Sequence, residues 1–321
     1  MIRWGILGTA RINRRVIPAM RLSRRSELAA IASRDRARAE AYAREWSIPR
    51  AAAGYQTLLD DPGIDAVYIP LPNTDHVPWT LAAIAAGKHV LCEKPLALDA
   101  ADVDRIAAAA TAAHVVVEEG FMYRHEPLTA FVTSMIRDGA VGQVRAIVSG
   151  FTFALETEKN IRLDPSLGGG SLWDVGSYPV TYAQLIMDHG PKMVFGTAHW
   201  HASGVDEEFM GLLRFDEGAT ANIYAGFRVA YRTWLEILGS DGALTVPNPF
   251  RPGPLETLEL ERKGKVERIA VAGSAEIFVK EIENFEARVL DGAPAVVSLA
   301  ESHRTAATLA ALLASARAVI S

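Results

Sequence analysis

Short apolar runs alternate with helical patterns from residue 2 to residue 117, and this alternation constrains the fold more than any other feature. The apolar runs predict strands at Ile2–Leu7, Glu27–Ala32, Asp65–Ile69, His89–Cys92 and Val115–Val117. The segments between them predict helices at Ile12–Leu22, Arg36–Trp46, Asp75–Ala86 and Asp99–Ala113. Because parallel strands need crossover connections, the alternation predicts an α/β fold: a doubly wound parallel sheet with helices on both faces.

The pattern changes after Phe121, where strands follow one another with turn signals between them. The further helices are predicted at Glu126–Arg137, Trp173–Met187, Ala275–Leu290 and Glu301–Val319, and the clearest strands at Val144–Phe153, Thr220–Phe227 and Tyr231–Leu238. This succession predicts an α+β domain with a large, open, mostly antiparallel sheet. The chain therefore divides into two predicted domains, residues 1–121 and residues 122–321.

Charge and cysteine content exclude several classes of protein. The net charge is −5, so we expect no general affinity for nucleic acid. Cys92 is the single cysteine, which excludes an internal disulfide and a cysteine-rich metal site, and His199 and His201 lack a third ligand nearby. No uncharged apolar stretch reaches the ~18 residues of a membrane helix, and the first residues lack a signal-peptide pattern. We therefore expect a cytoplasmic protein without a metal or a membrane partner.

A candidate dinucleotide site lies where the first strand turns into the first helix. The segment reads Gly8-Thr9-Ala10-Arg11-Ile12-Asn13. A glycine-rich turn at this place brings backbone N–H groups and the helix N-terminus against a pyrophosphate. Ala10 and Asn13 replace the second and third glycines of the usual fingerprint, so an ordinary strand–helix turn is the alternative. The position within the first strand–helix unit favours the dinucleotide site.

The end of the second predicted strand favours NADP(H) over NAD(H). An NAD-selective enzyme usually carries Asp or Glu there, whereas an arginine accommodates the 2′-phosphate of NADP. Here Ser33 offers a hydroxyl group and Arg34 a planar cation, and Asp35 is expected to begin the next helix. Nine arginines lie between Arg11 and Arg38, although most of them are expected on solvated helix faces.

Three further strings carry polar residues at the ends of predicted strands or at the start of a helix. They read Leu71-Pro72-Asn73-Thr74-Asp75-His76, Glu93-Lys94-Pro95 and Gly168-Gly169-Gly170-Ser171-Leu172-Trp173-Asp174-Val175-Gly176-Ser177-Tyr178. With these strings in this order, the whole chain resembles the Gfo/Idh/MocA oxidoreductases, the family of glucose–fructose oxidoreductase and inositol dehydrogenase. The resemblance implies a Rossmann domain, a substrate-binding and oligomerisation domain, and an active site in the cleft between them. It also implies a homo-oligomer, a dimer or a tetramer, formed through the open sheet.

The resemblance implies roles for two of these strings. In the family, the lysine of the Glu-Lys-Pro string contacts the reacting hydroxyl and the nicotinamide ribose, which implies this role for Lys94, and Pro95 is expected to follow a cis peptide. The string that ends at His76 borders the cofactor in the family, with a structural role at the helix start as the alternative for His76. The candidate cofactor contacts are Gly8, Thr9, Ala10, Arg11, Ile12, Ser33, Arg34, Leu71, Pro72, Asn73, His76, Glu93, Lys94 and Arg124.

The third string departs from part of the family. Members with an inositol-dehydrogenase-like site carry Asp and His one helical turn apart, and here Asp174 matches the Asp while Tyr178 replaces the His. The tyrosine variant is similar to the branch of NADP-dependent D-xylose dehydrogenases, dimeric dihydrodiol dehydrogenases and some keto-sugar reductases. Strings around Arg162 and Arg124 resemble this branch too, with structural ion pairs as the alternative. The candidate substrate contacts are Arg162, Asp174, Tyr178 and Trp173, and core packing is the alternative for Trp173.

Hydride removal from a carbon that bears a hydroxyl requires the O–H proton to leave as well. A phenol, with a pKa of ~10, is a poor base at pH 7 unless a nearby cation favours its ionised form. We therefore assign Tyr178 as the general acid/base and Lys94 as its electrostatic partner. In the competing assignment Lys94 carries the proton and Tyr178 positions the substrate. Asp174 either orients Lys94 or binds a substrate hydroxyl.

The predicted activity is an NADP-dependent aldopyranose 1-dehydrogenase of the D-xylose dehydrogenase kind, which yields a lactone from a carbohydrate substrate. The enzymatic alternatives are an NADPH-dependent keto-sugar reductase and a trans-dihydrodiol dehydrogenase. An NAD-dependent glycosidase is disfavoured by Ser33 and Arg34, where an acidic residue would be expected. A non-catalytic dinucleotide sensor is disfavoured because it has no need of Lys94 and Tyr178.

Overall fold

The computed structural model of the protein describes residues 1–157 and 160–318. Val319, the last residue of the predicted final helix, lies outside these residues. The chain forms two compact units. The first comprises Met1–Met122 and Phe278–His303, and the second comprises Tyr123–Ile277 and the residues from Arg304 onward.

The first unit contains the predicted parallel sheet. Its strands are β1 (Ile2–Leu7), β2 (Ser26–Ser33), β3 (Arg50–Ala53), β4 (Ala66–Ile69), β5 (His89–Glu93) and β6 (Val117–Gly120). The helices that connect them are α1 (Asn13–Leu22), α2 (Arg36–Glu45), α3 (Tyr55–Leu59), α4 (Asn73–Ala85) and α5 (Ala100–Ala113). The strand order is β3-β2-β1-β4-β5-β6 with every neighbouring pair parallel, which confirms the doubly wound sheet. The order reverses between β1 and β4, where such sheets bind dinucleotides.

Two strands of this sheet depart from the sequence prediction. Strand β3 was not predicted, because its four residues are one arginine and three alanines. Strand β6 lies two residues later than predicted and carries the buried carboxylates of Glu118 and Glu119. Glu118 pairs with Arg288 at 2.9 Å, and Glu119 accepts the backbone N–H of Leu96 at 2.8 Å. A strand whose polar residues find partners inside the protein does not read as an apolar run.

The helix α8 (Ile277–Asp291) lies largely in the first unit, whereas the sequence prediction assigned all of residues 122–321 to the second domain. The Phe285 ring lies 5.1 Å from the Trp4 ring, centroid to centroid, and Glu286 accepts a hydrogen bond from Ser23 at 2.6 Å. Together with the Glu118 ion pair, these contacts hold α8 on the first unit. They join positions far apart in the chain, so nothing local in the sequence indicates them.

The second unit is built on a sheet of eight strands. The strands are β7 (Val144–Thr152), β8 (Met193–Trp200), β9 (Asp206–Arg214), β10 (Thr220–Gly226), β11 (Arg232–Gly239), β12 (Gly242–Val246), β13 (Leu255–Arg262) and β14 (Lys265–Ala272). Their order is β14-β13-β12-β11-β7-β10-β9-β8, parallel only between β7 and β10, which confirms the mostly antiparallel sheet.

Helices lie on one side of this sheet. They are α6 (Pro127–Arg137), α7 (Ser177–Met187) and, from Arg304 onward, α9 (Leu299–Ala318). Helix α7 packs against β7 and β10 near the middle of the sheet. Within residues 1–157 and 160–318, no helix has the length and apolar character needed to span a bilayer.

Candidate active site

The turn before α1 is shaped by one glycine and one asparagine. Gly8 has φ +109°, and a Cβ atom there would lie 2.8 Å from Cδ2 of Leu71, so the turn requires glycine. The buried Asn13 stands at the place of the third fingerprint glycine, and its Nδ2 donates to the Gly8 carbonyl at 2.9 Å. A side-chain hydrogen bond thus closes the turn.

The N-terminus of α1 faces this turn without a side-chain cap. Ile12 precedes the helix and makes no side-chain hydrogen bond that caps it. The backbone N–H groups of Asn13 and Arg14 donate to Ala10 and Arg11 within the turn at 3.2 Å. The N-terminal end of a helix carries a partial positive charge, which attracts an anion. The turn from Gly8 to Ile12 therefore fits the pyrophosphate of a dinucleotide.

Two exposed arginines lie near the end of β2, where the ribose of a dinucleotide is bound in this fold. Arg34 follows Ser33 directly, and Arg38 lies in the first turn of α2, which Asp35 caps. Burial raises the pKa of the Tyr55 phenol, and both guanidinium groups are close enough to oppose that rise. Neither arginine forms an ion pair with any residue that the structure describes. The sequence analysis singled out Arg34 but not Arg38.

Contacts on both sides hold the turn that carries Lys94. The Lys94–Pro95 peptide bond is cis, which confirms the prediction for Pro95. The hydroxyl of Tyr68 donates to Oε1 of Glu93 at 2.6 Å, and the backbone N–H of Leu96 donates to Glu119. Lys94 itself is half-buried at the carboxyl end of β5.

His76 lies in the first turn of α4, which begins at Asn73 and not at Asp75 as predicted. The ring is buried and contacts two carbonyl oxygens: Nδ1 lies 2.7 Å from that of Pro95, and Nε2 lies 2.8 Å from that of Leu71. Burial lowers the pKa of the ring. The described contacts of His76 are therefore with the backbone of two loops that contain candidate cofactor contacts.

In the second unit, two glycines of the three-glycine loop pack against neighbouring groups without room for side chains. A Cβ atom at Gly169 would overlap the Arg162 carbonyl, and one at Gly170, whose φ is +121°, would overlap the Asp206 carboxylate. The backbone N–H of Gly170 donates to the Arg162 carbonyl at 2.8 Å. The glycines thus bring the strand of Asp206 and the loop of Arg162 onto the start of α7.

Asp206 holds the segment that leads into α7, and the sequence analysis missed it. Its Oδ2 accepts from the Ser171 hydroxyl at 2.7 Å and from the Leu172 backbone N–H at 2.6 Å. The carboxyl is buried, which raises its pKa to about 6. No motif marks Asp206, because it begins a strand 35 positions after Ser171.

Arg162, Asp174 and Tyr178 form one cluster in the second unit. Nε of Arg162 lies 2.5 Å from Oδ2 of Asp174, and both Asp174 and Tyr178 raise the pKa of the guanidinium. Asp174 lies in a π-helical turn, Leu172–Gly176, so the predicted α-helical spacing to Tyr178 does not apply. Such turns are frequent at functional sites.

The ring of Tyr178 is fixed by aromatic neighbours. Its centroid lies 5.3 Å from that of Phe151, 5.4 Å from that of Phe250 and 5.8 Å from that of Tyr123. Trp173 is 5% exposed, which favours the core-packing alternative over a surface for a sugar ring. Arg124 lies close enough to Tyr182 in the same unit to oppose the rise that burial causes in its pKa.

The structure describes the predicted catalytic residues in two separate groups. Lys94 belongs to the first unit, and Asp174 and Tyr178 belong to the second. Their pairing stays a prediction. Among residues 1–157 and 160–318, no three His, Cys, Asp or Glu side chains are placed to hold a metal ion.

Known proteins match between 80% and 98% of the chain. D-xylose 1-dehydrogenase (NADP(+)) 2 of Haloferax volcanii is 41% identical over 80% of this chain and 79% of that protein. dTDP-3,4-didehydro-2,6-dideoxy-alpha-D-glucose 3-reductase of Saccharopolyspora spinosa is 36% identical over 86% of this chain and 84% of that protein. KijD10, a 3-ketoreductase from Actinomadura kijaniata solved in complex with NADP and TDP-benzene, is 32% identical with a TM-score of 0.92, covering 98% of this chain and 97% of that one.

Two family models match successive parts of the chain. The model of the oxidoreductase family with an NAD-binding Rossmann fold matches residues 2–121. The model of the GFO/IDH/MocA C-terminal domain matches residues 130–245. Both matches agree with the strings from which the resemblance was drawn, and the chain therefore belongs to the Gfo/Idh/MocA family of oxidoreductases.

Proposed function

We propose that the protein is an NADP-dependent oxidoreductase acting on a CH–OH group of a sugar or related polyol. In its most specific form the proposal is oxidation of an aldopyranose such as D-xylose at C1 to a lactone. The observation that carries it is the cluster of Arg162, Asp174 and Tyr178, in a chain 41% identical to a D-xylose 1-dehydrogenase. In this cluster the phenol and the guanidinium interact electrostatically, which supports proton transfer by the phenol.

The first unit supplies groups that suit NADP. Under the proposal, the turn from Gly8 to Ile12 binds the pyrophosphate, and Ser33, Arg34 and Arg38 bind the 2′-phosphate. Two guanidinium groups without a carboxylate partner suit a phosphate better than a ribose hydroxyl. The other proposed contacts of this unit are Leu71, Pro72, Asn73, His76, Glu93 and Lys94, and Arg124 of the second unit is also proposed. When NADP is bound, its nicotinamide ring would accept the hydride from the substrate carbon.

The proposed role of Tyr178 is to move the proton of the substrate hydroxyl. A phenol with a pKa of ~10 acts as a base near pH 7 only if a cation favours its ionised form. Arg162 is such a cation within the same unit, and its guanidinium responds to Tyr178. Lys94 is the proposed second cation and polarises the oxygen that becomes the carbonyl. Asp174 fixes Arg162 and presents a carboxylate to a substrate hydroxyl.

The first experiment measures reduction of NADP⁺ and of NAD⁺ by the purified protein, from nicotinamide absorbance. The substrates are aldopentoses, aldohexoses, inositols and cyclic diols. We expect turnover with NADP⁺ and a pentose or hexose, with lactone as the product. Binding of NADP⁺ without turnover on any of these substrates would contradict the 1-dehydrogenase proposal.

The cofactor preference is tested on Arg34. Arg34→Ala is expected to lower the ratio of kcat/KM for NADP⁺ to that for NAD⁺ by about 10- to 100-fold, because a charged phosphate contact is lost. Arg36→Ala is the matched control, since Arg36 is also exposed but is paired with Glu40 at 2.8 Å. An unchanged ratio in the Arg34 variant would contradict the assignment.

The second candidate is reduction of a nucleotide-linked keto-sugar with NADPH. The likeness to the 3-ketoreductase, with a TM-score of 0.92 over 98% of this chain, favours it. The measurement is oxidation of NADPH in the presence of a dTDP-linked 3-keto-sugar, with TDP as a competitor. Turnover here, together with silence on free aldoses, would replace the first candidate by the second.

We also propose that the protein forms a homo-oligomer through the open face of its second sheet. Exposed apolar side chains from two neighbouring strands share this face: Met193 and Phe195 on β8, and Met210 and Leu212 on β9. Phe195 and Leu212 are directly opposite each other in the register. An apolar patch of this kind marks an interaction site. Leu212→Glu is expected to yield monomers in sedimentation analysis, and a monomeric wild type would contradict the proposal.

A further inference from the structure

His76 connects two loops of the first unit by contacts to their backbone. Its Nδ1 lies 2.7 Å from the carbonyl oxygen of Pro95, and its Nε2 lies 2.8 Å from that of Leu71. Pro95 follows Lys94 directly, and the Leu71 side chain lies against Gly8 of the dinucleotide turn. The imidazole is 1% exposed, so neither ring nitrogen has bulk water as an alternative partner. One side chain therefore touches both the loop of Lys94 and a loop on the pyrophosphate turn.

A neutral imidazole has one N–H and can donate to only one of these carbonyls. At the other contact, a ring lone pair faces a carbonyl oxygen at hydrogen-bond distance. Two protons on the ring would satisfy both contacts, and the two carbonyls and Asp75 favour that form, whereas Lys94 opposes it. Burial is the largest of these influences and lowers the pKa of His76, so the ring is neutral at pH 7.

The two contacts of the His76 ring differ in their burial. The contact to Pro95 is fully buried, whereas the contact to Leu71 is only partly buried. A buried carbonyl without a donor is more costly than one that reaches solvent or a ligand. This difference favours the tautomer with the proton on Nδ1, facing Pro95.

We propose that His76 is a positioning residue for Lys94, which donates its Nδ1 proton to the Pro95 carbonyl and so fixes the turn that carries the lysine. In this state Nε2 gives the Leu71 carbonyl no proton, and the loop before α4 is free to adjust when the cofactor binds. The role of Lys94 rests on the proposed oxidoreductase function. The tautomer of His76 does not, and it is tested separately.

The first test is nitrogen NMR of the protein labelled with ¹⁵N-histidine, with and without NADP⁺. The His76 signals are identified by their absence in His76→Asn, and their shifts and couplings report which nitrogen is protonated. We expect the Nδ1–H tautomer at pH 7. An Nε2–H tautomer, or an imidazolium, would overturn the proposal whether or not the protein turns over any substrate.

The second test compares two amide replacements of the ring. In His76→Asn the amide nitrogen takes the place of Nδ1 and still reaches toward Pro95, whereas in His76→Gln it takes the place of Nε2 and reaches toward Leu71. We expect kcat to fall on the order of 10- to 100-fold further in His76→Gln than in His76→Asn, because Lys94 is then misplaced. Melting temperatures are expected to fall similarly in both variants.

A matched control is available in the same unit. His89 accepts the backbone N–H of Val116 on its Nδ1 at 2.9 Å and lies at the opposite end of β5. His89→Asn keeps an acceptor there, and its kcat is expected to stay within twofold of wild type. Equal losses of kcat in His76→Asn and His76→Gln, with kcat retained in the control, would show that His76 stabilises the fold without positioning Lys94. Silence of the wild type on every substrate would count against the proposed function alone.

Discussion

The turn before α1 and the turn before α7 each lead into a helix of the candidate site, but different interactions hold them. The first is closed by Gly8 and by the amide of Asn13, five residues further along the chain. The second is held by the carboxyl of Asp206, 35 positions from Ser171, and by the ion pair of Arg162 with Asp174. A turn made by neutral neighbours is visible as a local motif and indifferent to pH. A turn held by charged residues from distant segments has no local sequence motif, and its stability depends on pH.

The largest expected difference between the two turns is catalytic, because the second turn leads into α7, which carries the proposed proton-transfer group Tyr178. Tyr178→Phe is expected to lower kcat by about 10²- to 10⁴-fold, the usual contribution of general acid–base catalysis, with little change in melting temperature. The measurement is steady-state turnover with the best substrate of the first experiment.

Tyr182→Phe is the control for this variant, because Tyr182 lies in the same aromatic cluster one helical turn later, with its ring stacked on Tyr123 at 5.4 Å. Its kcat is expected to stay within a few-fold of wild type. If Tyr178→Phe also stayed within a few-fold, Lys94 would become the proton carrier.

The two turns are also expected to differ in how their contribution to the free energy of unfolding depends on pH. The pKa of Asp206 is about 6 in the folded protein against 3.8 for the free group, so the folded state holds the proton more tightly. The stability that the protonated Asp206 carboxyl contributes is fully present below pH 3.8 and is lost as pH rises through about 6. Two pKa units correspond to on the order of 3 kcal/mol.

The measurement is the free energy of unfolding of wild type and of Asp206→Asn, compared by denaturant titration from pH 4 to pH 8. The stability of wild type relative to the variant should decline between pH 4 and pH 6 and then level off. The difference between wild type and Asn13→Ala should stay constant over the same range. A flat profile for Asp206 would remove the contrast between the turns.

The parallel sheet and the position of the Lys94 turn at the end of a strand could both be predicted, because both depend on residues close together in the chain. Apolar runs such as β1 and β5 report their own burial, and the Glu93-Lys94-Pro95 string directly follows one of them. Strand β6 escaped correct placement because Glu118 and Glu119 are polar residues whose partners lie elsewhere.

The support of the second turn was beyond sequence reasoning for the same reason. The motif indicated Asp174 and Tyr178 but not Asp206, since a single aspartate before a strand has no distinguishing pattern. The π-helical turn at Leu172–Gly176 was not predicted either, although it changes how Asp174 and Tyr178 are placed on the helix. Arg162 was identified, and its partner became known only from the 2.5 Å contact to Asp174.

The first turn offers a smaller and pH-independent test. Asn13→Ala removes the hydrogen bond to the Gly8 carbonyl and is expected to cost about 1–2 kcal/mol of unfolding free energy, because a buried acceptor loses its donor. Weaker NADP⁺ binding should accompany the loss, measured as the Kd from nicotinamide or protein fluorescence. Stability equal to wild type would show that Gly8 alone defines the turn.

The ion pair of the second turn should have the smallest effect on stability. The side chains of Arg162 and Asp174 are 39% and 16% exposed, so water screens part of their attraction. Asp174→Asn is therefore expected to cost about 1 kcal/mol of unfolding free energy, and less in high salt, because partly exposed pairs are weak and screened. Its larger effect should be on KM for the sugar, since Arg162 loses the carboxylate that fixes its direction near Tyr178.

The matched comparison is Asp102→Asn, which breaks the exposed pair with Arg105 in the first unit and should leave KM unchanged. Equal KM values in the two variants would make the Arg162 pair purely structural, and the charged second turn would then differ from the neutral first turn in stability alone.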